Sequence, residues 1–284
     1  METSINDSLL PPEMARKAED IGVSKAHLSP VKTTALAVLA GAFIAFGAVF
    51  STVVTTGSTA GFGVTKLLGG LAFSLGLILV VVGGAELFTG NNLMIMGWAN
   101  RKISTSHVLK NWAIVYAGNM LGSLSIVVLI FLSGHYLFGG GLTGQRMMNI
   151  AKTKCELGFT QAIALGILCN ILVCLAIWLC YSAKSAHGKI LAIIFPITAF
   201  VAAGFEHSVA NMYFIPMGIL VKKWGAPELW TSIQSSADQY GSLTWSNFFI
   251  DNLLPVTIGN IIGGAVFVGL AYWFIYLRKE KSLV

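Results

Sequence analysis

An all-helical membrane protein is the fold the sequence predicts: six spans as a 3+3 inverted repeat, with the second and fifth interrupted. Three observations carry that expectation. Of the 284 residues, 55% are hydrophobic and only 11% are charged, and the mean hydropathy is +0.76. A soluble domain covers its surface with about 25% charged residues, so this chain has too few to dissolve. Six apolar segments, at about 31–55, 68–98, 108–135, 158–182, 189–218 and 248–277, stand out. Each meets the roughly 20 residues that a helix needs to cross about 30 Å of hydrocarbon. Finally, one short motif recurs 120 residues further on. In such a chain the net charge of +6 bears on membrane topology rather than on nucleic-acid binding.

Residues 1–30 are polar and lack the apolar core of a signal peptide. Within them Leu10, Met14, Ala18 and Ile21 recur at helical spacing opposite Glu13, Arg16, Lys17, Glu19 and Asp20, and Pro11 and Pro12 suit a helix start. This stretch reads as an amphipathic helix. It either lies inert at the membrane surface or acts as a flap that gates a pore. The membrane domain then runs over 31–278, with halves at about 31–135 and 158–277, and 279–284 form a C-terminal tail.

The first span is uninterrupted. The second and fifth are too long for one straight crossing, and each holds a glutamate among small and polar residues. Irregular backbone at membrane depth persists only where protein or a wet cavity satisfies it. The second contains Gly84-Ala85-Glu86-Leu87-Phe88-Thr89-Gly90-Asn91, and the fifth contains Gly204-Phe205-Glu206-His207-Ser208-Val209-Ala210-Asn211. The next span of each half carries an echo, Gly118-Asn119-Met120-Leu121-Gly122 and Gly259-Asn260-Ile261-Ile262-Gly263. Three spans per half is an odd number, so the halves lie in opposite orientation, with a site near the midplane between broken helices. The fourth span holds Cys169, Cys174 and Cys180, read with Cys155 as small packing residues. Residues 219–247 form the longest outside connection, its Trp224, Trp230, Tyr240 and Trp245 suited to an interfacial belt.

Twelve of the 18 Lys and Arg residues lie in the N-tail, the 99–110 and 183–189 loops and the C-tail. That excess predicts both termini in the cytoplasm.

Ionisable groups within a membrane mark function by default. Glu86, Glu206 and His207 are the ones deep in the apolar segments, Cys and Tyr aside. A carboxylate at a helix break can accept bonds from freed backbone N–H groups, so both glutamates read as staples, with a cation or proton site as the alternative. His207 offers an N–H donor or, when protonated, a cation. Thr89 adds a hydroxyl, and half-helix N-termini add about +0.5 charge each. Together these predict a site for a small anion, without a buried Arg or Lys that would hold it too tightly to release. Phe73 and Leu77, spaced i, i+4, are either packing residues or an apolar constriction. Asn119 and Asn260 read as interhelical hydrogen-bonding residues, and Asn260 could instead face the pore. The Gly118/Gly122 and Gly259/Gly263 pairs permit close helix approach. No ATP-binding GxxxxGK[ST] occurs. An intramembrane hydrolase built on Glu206, His207 and Ser208 fails because consecutive helical residues point about 100° apart.

The stretches Gly84–Asn91, GFEHSVANMYFIP at 204–216 and PVTIGNIIGG at 255–264 together resemble the formate/nitrite transporter family over essentially the whole chain. Within it, LLPPEMA at 9–15 resembles the bacterial formate-channel branch rather than the nitrite and hydrosulfide branches. The resemblance implies an aquaporin-like six-helix protomer of a homopentamer in the bacterial inner membrane, in contact with lipid, with a pore in each protomer. It implies a bidirectional, pH-dependent channel for formate and similar small monovalent anions, not an enzyme, with no cofactor, no metal and no nucleic-acid partner. Nitrite or hydrosulfide conduction is the family's alternative, and a neutral-solute pore a remoter one, since paired Asn-Pro-Ala breaks are absent. It implies Thr89, His207 and Asn260 at the pore centre, with proton coupling through His207, and Leu87 and Phe88 in a movable break loop. Phe73 and Leu77 would form the cytoplasmic constriction, Phe200 the periplasmic one, and Lys154 and Asn170 the outer approach. The N-terminal helix would gate, in part through a formate-producing cytoplasmic enzyme.

Overall fold

The structure, a computed structural model, describes residues 8–278. The expected tail at 279–284, and residues 1–7 of the expected N-terminal segment, lie outside the described residues. Apart from a single β-bridge between Ser8 and Ala183, the described chain is helices and their connections.

Helix α1, Pro11–Ala26, begins where Pro11 and Pro12 place it, with the Glu13 carboxylate accepting the Leu10 N–H at 2.8 Å. Helix α2, Pro30–Thr55, starts at Pro30 behind the Ser29 cap, and α3, Phe62–Gly83, follows. The second predicted span then breaks and resumes as α4, over 88–99, which tightens into a 3-10 turn at Asn92–Met94. Helix α5 is Thr105–Leu132. The second half repeats the series: α6, Leu142–Cys155; α7, Phe159–Ser182; α8, Ala186–Ala202; and, after the second break, α9, Ser208–Trp224. A short α10, Pro227–Ser232, leads to α11, Asn247–Tyr276, which contains two π-helical stretches. Helices α2, α3, α5, α7 and α11 are long and apolar enough to cross a membrane, and α8 is apolar but shorter, being followed by the second break. Their outer faces are apolar: Leu132 is 73% and Phe195 75% exposed.

The inverted repeat thus has five elements per half, α1 to α5 answering α6 to α9 and α11, one more than the four pieces that three spans with one broken would give. Both breaks turn on a glycine in the left-handed region, Gly84 at φ 79° and Gly204 at φ 75°, where a side chain is strained. The paired glycines do bring backbones together. A methyl at Gly122 would strike the Val38 carbonyl, and one at Gly263 the Ile167 carbonyl. The four cysteines are buried thiols packed as expected, and Cys174 points its S–H at the Thr89 carbonyl, 3.4 Å away.

Helix α1 is no inert surface helix. It buries Met14, Ala15, Ala18, Glu19 and Gly22 against the bundle. Glu19 accepts from Asn100 at 2.5 Å and from Lys102 at 2.7 Å. The Glu19 bond raises the Lys102 ammonium above its usual range, so this tether is fully formed below that range and weakens only as pH climbs past it.

Candidate functional site

The site lies where the two breaks meet. After Gly84 and Gly204 the chain runs extended for three residues before α4 and α9 begin, which frees backbone groups inside the helix bundle. Each is met. The Glu86 N–H donates to the Leu36 carbonyl and the Glu206 N–H to the Leu165 carbonyl, both at 3.2 Å. The Phe88 N–H donates to Asn119 Oδ1 and the Ser208 N–H to Asn260 Oδ1, both at 2.9 Å. In return Asn119 Nδ2 donates to the Ala37 and Glu86 carbonyls at 2.8 and 2.9 Å, and Asn260 Nδ2 to the Gly166 and Glu206 carbonyls at the same two distances. The asparagines staple the breaks and join helices, as their interhelical reading expected. The glutamates do not accept the freed N–H groups. Every N–H of the Asn260 amide is taken by a carbonyl, which leaves none for an anion.

The carboxylates serve the breaks by another route. Glu86 pairs with Lys25 of α1 at 2.9 Å and accepts from Asn91 at 2.6 Å, and Asn91 also donates to Asn111 at 2.8 Å. Glu206 pairs with Lys154 of α6 at 2.6 Å and accepts from Asn211 at 2.7 Å, and Asn211 donates to Asn252 at 2.7 Å. The same set of four residues, one Lys, one Glu and two Asn, thus closes each break. Sequence reasoning missed Lys25, Asn111 and Asn252. A signal existed: Asn111 and Asn119 recur as Asn252 and Asn260, with the same spacing of eight in both halves.

Between the breaks stand Thr89 and His207, both buried, with Thr89 Oγ1 at 2.9 Å from His207 Nε2. His207 is also the N-cap of α9. Its Nδ1 lies 3.0 Å from the Ala210 backbone nitrogen, and a backbone N–H can only donate. Nδ1 is therefore unprotonated, and the neutral ring carries its proton on Nε2, which donates to Thr89. The Thr89 hydroxyl keeps its own hydrogen to give. Asn170 Nδ2 donates to the Thr89 carbonyl at 3.2 Å and to the Asn260 carbonyl at 2.6 Å. Asn170 is fully buried, so it sits beneath the breaks and not on an outer approach.

Two cavities approach this pair from opposite faces. The one of about 260 Å³ on the α6 side is lined by Lys154, Glu206 and His207 and by Phe73, Phe200 and Phe214. Phe73 and Phe200 meet edge to face at 5.6 Å, and Phe73 also stacks on Phe214 at 6.3 Å. This corrects the expected pairing: Phe73 closes the α6-side cavity with Phe200, and does not line the α1-side mouth. The cavity on the α1 side, about 330 Å³, is lined by Ala18, Lys25, Val80, Glu86 and Leu87. Leu77, 1% exposed, lies on α3 between the residues that line the two cavities. Phe88 is buried against Tyr116 at 4.8 Å, behind Leu87.

The Lys25 bridge carries a consequence that can be measured. Removing one partner of a buried ion pair costs about 3–5 kcal/mol, and Lys25 is the arm by which α1 reaches the break. A Lys25→Met variant is expected to loosen α1, so that limited proteolysis cuts within 11–26 at doses that leave the parent protein intact. Equal cleavage of both would show that the bridge does not hold α1.

A model of the formate/nitrite transporter family matches residues 12–274. The chain is 48% identical to the formate channel FocA of Escherichia coli K12, over 96% of each chain. It is 42% identical to formate channel FocA of Haemophilus influenzae, over 93% of each. Among solved structures, a pentameric formate channel with formate bound superposes with a TM-score of 0.82 at 44% identity, covering 88% of this chain and 98% of that one.

Proposed function

The chain belongs to the formate/nitrite transporter family, and we propose that it is a homopentameric, bidirectional channel for formate and similar small monovalent anions, with one pore through each protomer. The observation that carries this reading is the meeting of α4 and α9. Two half-helix N-termini face one point from opposite sides, each contributing partial positive charge. At that point the Thr89 hydroxyl has a hydrogen to give, and the His207 Nε2–H can turn from Thr89 to an arriving anion, so both offer hydrogen bonds without a full charge. An anion bound there is held by dipoles and can leave. Phe73 and Phe200 on one side and Leu87 on the other limit it to a small, largely dehydrated ion.

The excess of Lys and Arg on the α1 side supports an inner-membrane orientation with that face in the cytoplasm. There α1 acts as a flap over the mouth, with a formate-producing enzyme as its partner. Lipid covers the apolar outer faces.

Proton coupling through His207 is part of the proposal, and the geometry sets its terms. A neutral imidazole is a donor but too weak an acid to protonate formate. The transferable proton exists only once Nδ1 is also protonated, which opposes the Ala210 N–H and the α9 dipole. Acid on the α6 side drives that step, so formate passes as an anion near neutrality and increasingly with a proton as the outside acidifies. Proteoliposomes containing the purified protein should take up labelled formate down its gradient, faster at an external pH of about 5 than about 7. Absence of formate flux at every pH would refute the channel.

A further inference from the structure

The two mouths of the pore differ in charge although the two breaks are closed by matching residues. In the α1-side cavity Lys25 faces Glu86, and among the described residues no other charged side chain lines it. The α6-side cavity holds Lys66, Arg146, Lys154 and one carboxylate, Glu206, which is taken by Lys154. Lys66 and Arg146 have no carboxylate partner in any of the ion pairs among the described residues. They come from different elements, α3 and α6, and both are half-buried. Arg146 Nε donates to Thr55 Oγ1 at 3.2 Å, which fixes the guanidinium while leaving its outer N–H groups unbonded. Lys66 touches the Phe62 ring at 5.5 Å. Thr65 and Asn149 add polar groups to the same wall. Two positive charges uncompensated in a partly desolvated cavity attract anions strongly, and a fixed guanidinium fork matches a carboxylate.

We propose that Lys66 and Arg146 form a second anion site in the α6-side vestibule that takes small carboxylates ahead of the Phe73–Phe200 constriction. This rests on the channel reading above. A monocarboxylate binds there and passes on. A small dicarboxylate matches both charges but meets no cation at Thr89 and His207, so it stays and blocks from this face alone.

The probe is oxalate. Right-side-out and inverted membrane vesicles expose opposite faces, and labelled formate uptake is measured in both. Oxalate should block at a concentration at least tenfold lower when it meets the α6 face. Calorimetry on the purified full-length protein should show oxalate binding that weakens roughly tenfold in Lys66→Gln and in Arg146→Gln, since each removes a charge-assisted contact. Lys66→Arg and Arg146→Lys should retain it, which separates lost charge from lost fold. Equal block from both faces, or unchanged oxalate binding in the double Gln variant, overturns the site. If the parent protein carries no formate, the channel reading fails, and the calorimetry still decides whether the site exists.

Discussion

Replacing His207 by phenylalanine is expected to cut formate flux by about one to two orders of magnitude, while asparagine at the same position retains a large part of it. Phenylalanine removes the Nε2–H donor and the Nδ1 acceptor together. One hydrogen bond to a charged group is worth about 1.5–3 kcal/mol, and each 1.4 kcal/mol is roughly tenfold. Asparagine is a good N-cap and keeps both a donor and an acceptor, but it does not titrate. The two variants therefore separate two roles. Flux in the asparagine variant should no longer rise as the outside is acidified, whereas the parent rises. If the asparagine variant keeps the pH dependence, the proton does not travel by His207. Proteoliposome uptake across a pH series reads both outcomes.

The second large effect is on folding. Asn260→Leu would leave the Glu206 carbonyl and the Ser208 N–H unmet in the bundle interior, and would strip the helical Gly166 carbonyl of its second bond. Each unsatisfied buried group costs about 1–3 kcal/mol, so the loss is of the order of 2–6 kcal/mol, against a total stability of about 5–15 kcal/mol. Asn119→Leu removes three bonds of the same kind from the other break. Neither variant should yield a monodisperse peak on size-exclusion chromatography in detergent, and the two should fail alike. A well-folded Asn260→Leu protein would mean that the second break is held by other contacts.

Much of this was legible in the sequence, and the reasons differ by residue. The spans follow from apolar length alone, and the breaks from an excess of length with a glutamate inside it. The repeat was visible because Gly84, Glu86 and Asn91 need the same backbone geometry as Gly204, Glu206 and Asn211. His207 stood out because an imidazole in an apolar run is costly. What hydropathy could not convey was which polar group meets which. The staples were assigned to the glutamates because a carboxylate is the stronger acceptor. An amide, however, both donates and accepts, and a break needs both. Lys25 escaped notice because it lies outside the spans in sequence, and only folding of α1 onto the bundle brings it to Glu86. Helical spacing groups Phe73 with Leu77 without assigning a mouth, and the family resemblance sets both at the cytoplasmic constriction; α3, however, carries successive turns from one cavity towards the other and leaves Phe73 with Phe200.

The doubled skeleton and the undoubled centre record how such a chain arises. Position 120 residues before His207 is Leu87, and position 120 after Thr89 is Val209. The hydrogen bond at the axis thus joins residues that are not each other's counterparts. Two identical half-length chains, paired head to tail, would have to present the same side chain twice at that point: two imidazoles or two hydroxyls. In one continuous chain the two halves are free to differ, and at the axis they do. The Lys–Glu–Asn–Asn sets, needed once in every break, stayed duplicated, while the central pair was free to become a donor ring on one side and a hydroxyl on the other.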